Sequence, residues 1–314
     1  MSSEFERIAT LCAVFAAQSR RGIVVGIGDD AAVLESPPGR VLVWTIDEQV
    51  EGTHFRRDFA SWGDVGWRSF MAAASDLAAM GAEPYAALAA ITLPKDLDDA
   101  ALEALAEGQR AAAAQVGSPI VGGNLARGDA VSVATTLLGV CPRAVVRGGG
   151  RVGDGLWVAG EVGLAAAGLA ALLRGDAQVD VLTAAAAAWR RPVARIAEGL
   201  AMAAHGHAAI DVSDGLAQDV AHLARASGVC AVLDEAALRA CSPATLAAAA
   251  ALGADALELI LHGGEDYALV IACDHGVAGF QRIGELRAGK GVVLARDGGG
   301  EEAITPRGFD HFSP

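Results

Sequence analysis

The sequence is poor in the features that mark several classes of protein. It has no Cys-x-x-Cys pair: Cys12, Cys141, Cys230, Cys241 and Cys273 are scattered along the chain. That spacing argues against a zinc ribbon and against a disulfide framework, and it fits a reducing, cytosolic compartment. No run of Lys or Arg relieves a formal net charge of -14, so a nucleic acid is not an expected partner. The longest apolar stretches, residues 162–173 and 244–253, are short and Ala-rich, which argues against a membrane span. Glu4 and Glu6 stand where a secretion signal carries basic residues, so no such signal is expected. Aromatic residues make up only 5% of the chain, and the core must rest on Leu, Val, Ile and Ala packed against glycine.

What remains is a chain of 314 residues, long enough for two domains. Helical spacing is seen at 5–17, 64–80, 98–115, 164–173, 192–205 and 216–226. The run of alanines at 184–188 also reads as a helix interior, where Ala loses no side-chain entropy. Strand patterns fall at 22–25, 41–46, 86–93, 120–121, 131–140, 156–159, 210–212, 231–233 and 268–272. A hairpin is expected from 282–286 and 292–295, followed by an irregular tail. The pattern breaks over 142–155 at Arg147-Gly148-Gly149-Gly150-Arg151, dividing the chain into domains 1–144 and 145–314. Helices and strands are mixed in both parts, so the class is α+β or mixed α/β.

Two glycine motifs mislead. Gly284-x4-Gly289-Lys290-Gly291 imitates a phosphate-binding loop, but it lacks the metal-binding Ser/Thr and leads into a strand-like run. Gly26-Ile27-Gly28-Asp29-Asp30-Ala31 imitates a dinucleotide fingerprint, yet its two carboxylates would repel a pyrophosphate. That loop reads better as a cation holder. Aspartates recur where strands end: Asp29, Asp30, Asp47, and Asp211 and Asp214 around Ser213. Asp76 sits in an otherwise apolar helix and needs a partner if buried. For Asp214 a helix N-cap is the simpler account. Oxygen ligands without a His or Cys cluster point to Mg²⁺ bridging carboxylates to phosphates. Gly122-Gly123-Asn124 and Gly263-Gly264-Glu265-Asp266-Tyr267 read as tight turns, required either by positive φ or by close approach to a ligand. His54, taken alone, is better explained as a surface or packing histidine than as a catalytic one. Arg147 is either a solvated linker charge or a phosphate clamp.

Taken in order, Gly-Ile-Gly-Asp-Asp-Ala-Ala-Val-Leu (26–34), Thr-Ile-Asp-x3-Glu-Gly-Thr-His-Phe (45–55), Ser-Asp-Leu-Ala-Ala-Met-Gly-Ala (75–82), Gly-Gly-Asn (122–124), Ile-Asp-Val-Ser-Asp-Gly-Leu (210–216), Gly-Gly-Glu-Asp-Tyr (263–267) and Gly-Phe-Asp-His-Phe (308–312) resemble the thiamine-monophosphate kinase family. Its superfamily includes aminoimidazole ribonucleotide synthetase and selenophosphate synthetase. The resemblance implies a homodimer in which the N-terminal sheets pair into a barrel, with an α/β C-terminal domain completing the nucleotide and substrate site. It implies ATP and Mg²⁺ as requirements and thiamine monophosphate as the phosphoryl acceptor. By position, Asp30, Thr45, Asp47, Asp76, Asp211 and Asp214 would hold Mg²⁺. Gly122, Gly123, Asn124, Arg147 and Ser213 would meet ATP. His54, Glu265 and Phe309 would meet the substrate, and Asp47, Asp214 and Arg147 would carry catalysis. Two departures stand out: Asn124 replaces a frequent metal-binding Asp, and Ile46 and Glu48 flank Asp47 in place of the usual hydroxyl or Met side chains. The rival readings are another synthetase of the superfamily and a non-catalytic nucleotide-binding scaffold.

Overall fold

The computed structural model describes residues 3–16, 20–27 and 31–308. Asp29, Asp30 and Phe309 lie outside the described residues, so the expectations for them have no structural account. The chain forms two compact units, one comprising Met1–Leu77 and Ala82–Arg143, the other Ala78–Gly81 and Ala144–Pro314.

The first unit opens with α1 (Glu4–Phe15), whose start is set by a capping box: Ser3 Oγ accepts from the Glu6 N–H and the Glu6 carboxylate accepts from the Ser3 N–H. A short antiparallel pair follows, β1 (Ile23–Val25) and β2 (Val33–Leu34). Then come β3 (Val41–Val50), α2 (Trp62–Ala79), β4 (Glu83–Leu93), α3 (Asp99–Val116), β5 (Ile120–Arg127) and β6 (Ser132–Cys141). Asp98 caps α3 by accepting from the Ala101 N–H, and Gly117 ends it in the left-handed region.

The four long strands form one sheet in the order β3-β6-β4-β5. Neighbours are antiparallel except the β4–β5 pair, which is parallel. Alternation along β3 divides its residues between two faces. Val43 and Gln49 are buried and Thr45 and Asp47 half-buried, whereas Leu42, Trp44, Ile46 and Glu48 are exposed. The covered face belongs to α2 and α3: the Gln109 amide on α3 donates to Ser69 Oγ on α2 and to Thr135 Oγ1 on β6. Burial of Phe70, Met71, Leu77, Leu102 and Leu105 stabilises this packing.

The second unit contains β7 (Gly155–Ala159), α4 (Leu164–Arg174), α5 (Asp180–Arg190), α6 (Ile196–Met202), β8 (Ala208–Val212), α7 (Leu216–Ser227) and β9 (Cys230–Asp234). It continues with α8 (Glu235–Ala240), α9 (Pro243–Leu252), α10 (Ala256–His262), β10 (Ala268–Cys273), β11 (Gln281–Arg287), β12 (Gly291–Ala295) and β13 (Glu301–Ile304). Its sheet runs β13-β12-β9-β11-β7-β10-β8. The apolar stripe of α7, with Leu216, Val220 and Leu223, packs on buried strand residues such as Ile210, Leu233, Val270 and Leu294.

Three local expectations are corrected. The strands expected as a hairpin do not pair: β9 lies between β11 and β12, antiparallel to the first and parallel to the second. The P-loop-like run leads directly into β12, as the strand-like residues after it predict. The expected tail carries β13 on the sheet edge. The helix expected over 192–205 is only α6, because Pro192 and the non-helical backbone at Arg195 delay its start.

Candidate active site

In the first unit the sheet register sets the geometry. Asp47, Thr135, Ala89 and Gly123 lie in one cross-strand row. Thr45 sits two residues before Asp47 on the same half-buried side of β3, and its hydroxyl donates to the Asp76 carboxylate on α2. The carboxylate that looked costly among Ala73, Ala74, Leu77 and Ala78 therefore has a built partner on the adjoining strand.

Asp47 and Gly123 occupy opposite edge strands, three strand spacings or roughly 14 Å apart. No one cation touches both. Gly122, Gly123 and Asn124 are not a turn but the middle of β5. Their backbone is not left-handed. Gly123 is required by close approach, since a Cβ there would fall 1.9 Å from the Ala89 carbonyl oxygen. Asn124 is exposed and aligned with Ala90, in the row of Ala134 and Glu48 rather than that of Asp47. Ile46 and Glu48 likewise lie on the exposed face.

His54 follows β3 in a pinned turn. Its Nδ1 accepts from the Val50 N–H at 3.0 Å, which leaves the ring proton of a neutral imidazole on Nε2. Glu51 in the same turn accepts from Arg57 and from the Val131 N–H. Burial pushes its carboxyl up, but Arg57 and Val131 together hold it below the ordinary range.

The second unit builds its site at the end of β8. Asp211 is buried on that strand. Beyond it, the N–H groups of Ser213, Asp214 and Gly215 all donate to one oxygen of Asp219, at 3.1, 3.1 and 3.2 Å. Asp219 is buried in the first turn of α7. Burial first, then the charges of Asp211 and Asp214, raise its carboxyl to about 7 against these hydrogen bonds. The sequence reading missed Asp219. A signal existed: at 219 a carboxylate interrupts the apolar stripe Leu216, Val220, Leu223, where a solvated charge has no place.

Asp214 accepts from the Gln218 amide at 3.4 Å. Gln218 also lines a cavity of about 730 Å³ with His222, Arg225 and Lys290. Burial, then the nearby Arg225 and Arg147 charges, push His222 below its ordinary value, with Asp214 opposing. Arg147 itself is exposed on its Gly-rich loop. That loop is anchored by Ser227, which donates to the Arg147 carbonyl and accepts from the Gly149 and Gly150 N–H groups.

The Gly263–Tyr267 loop closes on the same strand end. The Glu265 N–H donates to the Ser213 carbonyl at 2.8 Å and the Tyr267 N–H to the Val212 carbonyl at 2.9 Å. A Cβ on Gly264 would lie 2.6 Å from the Ser213 oxygen, so close approach explains this glycine. The left-handed conformation falls instead on Glu265 (φ 65°) and Tyr267 (φ 49°), a cost that non-glycine residues bear where surrounding contacts enforce it. Asp266 accepts from the N–H groups of Gly163 and Ala165 at the start of α4. Glu265 accepts from the Trp189 indole.

Thr45 and Asp76 are thus in contact, with Asp47 on the same strand face. Ser213, Asp214 and Glu265 share a second, hydrogen-bonded framework at the end of β8, the strand that carries Asp211. Among the described residues no three His, Cys, Asp or Glu side chains converge on one point.

The chain is similar to proteins of a known family. Residues 28–141 match the model of the AIR synthase related protein, N-terminal domain. The chain is 39% identical over 298 residues to thiamine-monophosphate kinase of Mycobacterium tuberculosis (strain CDC 1551 / Oshkosh), spanning 92% of this chain and 86% of that protein. The crystal structure of thiamine-monophosphate kinase from Stenotrophomonas maltophilia K279a superposes with a TM-score of 0.82 at 32% identity, over 93% of this chain and 96% of that one. AaThiL complexed with AMPPCP and TMP superposes with a TM-score of 0.81 at 30% identity, over 98% and 97% respectively. With this identity extending through both units, the chain belongs to the thiamine-monophosphate kinase family.

Proposed function

We propose that the protein transfers the γ-phosphoryl group of ATP to the phosphate of thiamine monophosphate, giving thiamine diphosphate and ADP. The observation that carries this reading is the Ser213–Gly215 loop, whose three N–H groups are fixed on Asp219 so that the Ser213 hydroxyl and the Asp214 carboxylate are presented from a set backbone. An acceptor-phosphate oxygen forms the new bond to the γ-phosphorus while the bond to the ADP oxygen breaks. That acceptor is already anionic, so no strong base is needed, and positioning and charge neutralisation do the work.

The side chains divide these tasks. Ser213 offers a hydroxyl to ATP, and Arg147 a guanidinium fork for phosphate oxygens. Gly122 and Gly123 leave backbone accessible to the nucleotide. His54 offers its Nε2–H to the substrate, and Glu265 a carboxylate to the thiamine cation. Thr45, Asp47 and Asp76, and separately Asp211 and Asp214, form all-oxygen donor sets that suit Mg²⁺. Mg²⁺ keeps several waters and bridges to phosphates, so water and phosphate oxygens would complete the coordination. Bound there, Mg²⁺ would neutralise phosphate charge.

The reading includes a homodimer. Leu42, Trp44 and Ile46 form an exposed apolar surface on one face of the four-stranded sheet, Trp44 73% and Ile46 68% accessible, with Leu88 exposed on the same face two strands away. A second copy presenting the same face would cover it and allow the two sheets to close into a barrel. Compartment follows the cysteine pattern, a reducing cytosol. No helix among the described residues is long and apolar enough to cross a membrane.

The test is turnover with ATP, Mg²⁺ and thiamine monophosphate, reading ADP and thiamine diphosphate together. Stoichiometric formation of both is expected. ATP binding without product would favour the scaffold reading, and ATP consumption only with a different acceptor would favour a synthetase.

A further inference from the structure

We propose that Trp189 is a positioning residue for the substrate: its indole N–H fixes the Glu265 carboxylate that meets the thiamine cation. The proposal rests on the reading of Glu265 as a substrate contact.

Trp189 is buried near the end of α5, and its Nε1 donates to Glu265 Oε2 at 2.5 Å. The backbone of Glu265 is held separately, by its N–H on the Ser213 carbonyl and by its neighbour Asp266 on the start of α4. Those contacts fix where the side chain begins but not where it ends. A glutamate has several rotatable bonds, and confining them at the moment of binding costs affinity. The indole removes that cost in advance by anchoring the far end of the side chain to a buried ring.

The choice of donor matters. An indole N–H donates and cannot accept, and it carries no charge. It therefore orients the carboxylate without itself adding a charge, as an Arg or Lys in the same place would. A buried indole needs only a neutral acceptor, and a backbone carbonyl would serve. Here it uses the carboxylate of a half-exposed residue with left-handed backbone, in the loop that also holds the Ser213 carbonyl. A purely structural contact explains neither the charge nor the strained position.

Steady-state kinetics of Trp189→Phe, Glu265→Ala and the double variant test this, with melting temperatures as folding controls. Trp189→Phe is expected to raise KM for thiamine monophosphate about tenfold, with kcat and KM for ATP nearly unchanged. The double variant should bind substrate no worse than Glu265→Ala alone. A parental KM in Trp189→Phe beside a raised one in Glu265→Ala would overturn the proposal and leave the reading of Glu265 intact. A parental KM in Glu265→Ala would overturn that reading and the proposal with it. Losses that add in the double variant would show Trp189 acting through packing alone, and would also overturn it. If Trp189→Phe does not fold, the unsubstituted protein still decides. Its indole N–H resonances, labelled with ¹⁵N, should include one that shifts in Glu265→Gln and on adding thiamine monophosphate, but not on adding inorganic phosphate. A Glu265-sensitive resonance unmoved by thiamine monophosphate would refute the positioning role.

Discussion

The Thr45 hydroxyl on β3 donates to the Asp76 carboxylate on α2, joining a sheet residue to a helix residue across the covered face of the sheet. The contact orients Asp76 with a donor that carries no charge of its own. Thr45→Val is therefore expected to lower turnover about tenfold at limiting Mg²⁺ and to recover most of it at saturating Mg²⁺. Asp76→Asn should lose at least about a hundredfold at any Mg²⁺ concentration, because the charge itself is gone. Mg²⁺ titrations of the two variants separate these outcomes, and identical behaviour would mean that the hydroxyl is itself a ligand.

Asp219 tests the scaffold rather than the ligands. Asp219→Ala leaves three N–H groups without their acceptor and should cost about 2–4 kcal/mol of stability, readable in urea unfolding. Asp219→Asn retains an acceptor oxygen and relieves the repulsion from Asp211 and Asp214. Its stability should equal or exceed that of the parent while turnover falls. A destabilised Asp219→Asn would show that the negative charge, and not the acceptor geometry, holds the loop.

These residues also show what sequence reading could and could not reach. Asp211 and Asp214 at the end of β8 and the Gly-Gly-Glu-Asp-Tyr run were legible because their types and order are unusual together, whereas Asp47, expected at a strand end, lies inside β3. The boundaries of α3, α4 and α7 were legible from apolar spacing and from the glycines that end them. The partner of Asp76 was not, since Thr45 and Asp76 are brought together only by helix-on-sheet packing. The placement of β9 between β11 and β12 was equally hidden: local alternation identifies a strand but not its neighbour. Gly122 and Gly123 were misread as a turn because a glycine needed for close strand approach and one needed for positive φ look alike in sequence.

The exposed face of β3 predicts assembly. Trp44→Glu combined with Ile46→Glu removes two large apolar side chains that are already exposed in the single chain, so the fold of each unit should be kept. Light scattering should report a dimer for the parent and a monomer for the variant, with unchanged far-ultraviolet circular dichroism. A monomeric parent would remove the barrel from the proposed function. A dimeric variant would move the interface to another surface.

Asp266 yields a pH dependence with a definite sign. Its carboxylate accepts from the Gly163 and Ala165 N–H groups, which favours the ionised form. Burial outweighs them, and the negative charges of Glu265 and Glu161 add to it, so the carboxyl is raised to about 7. In the unfolded chain the same group titrates near its ordinary value of about 3.9. Between these two values the folded protein keeps a proton that the unfolded chain has released, so raising the pH favours unfolding. The stability contributed by the protonated form is complete below the unfolded value and is lost as pH rises towards about 7, with a slope of at most about 1.4 kcal/mol per pH unit. Asp266→Asn, which cannot ionise, lacks this component. Melting temperatures of parent and variant from pH 4.5 to 8 should therefore diverge with increasing pH, the parent losing more. The helix start makes the alternative concrete. If the two N–H groups at the beginning of α4 dominate, Asp266 is ionised throughout this range and the two melting curves run parallel.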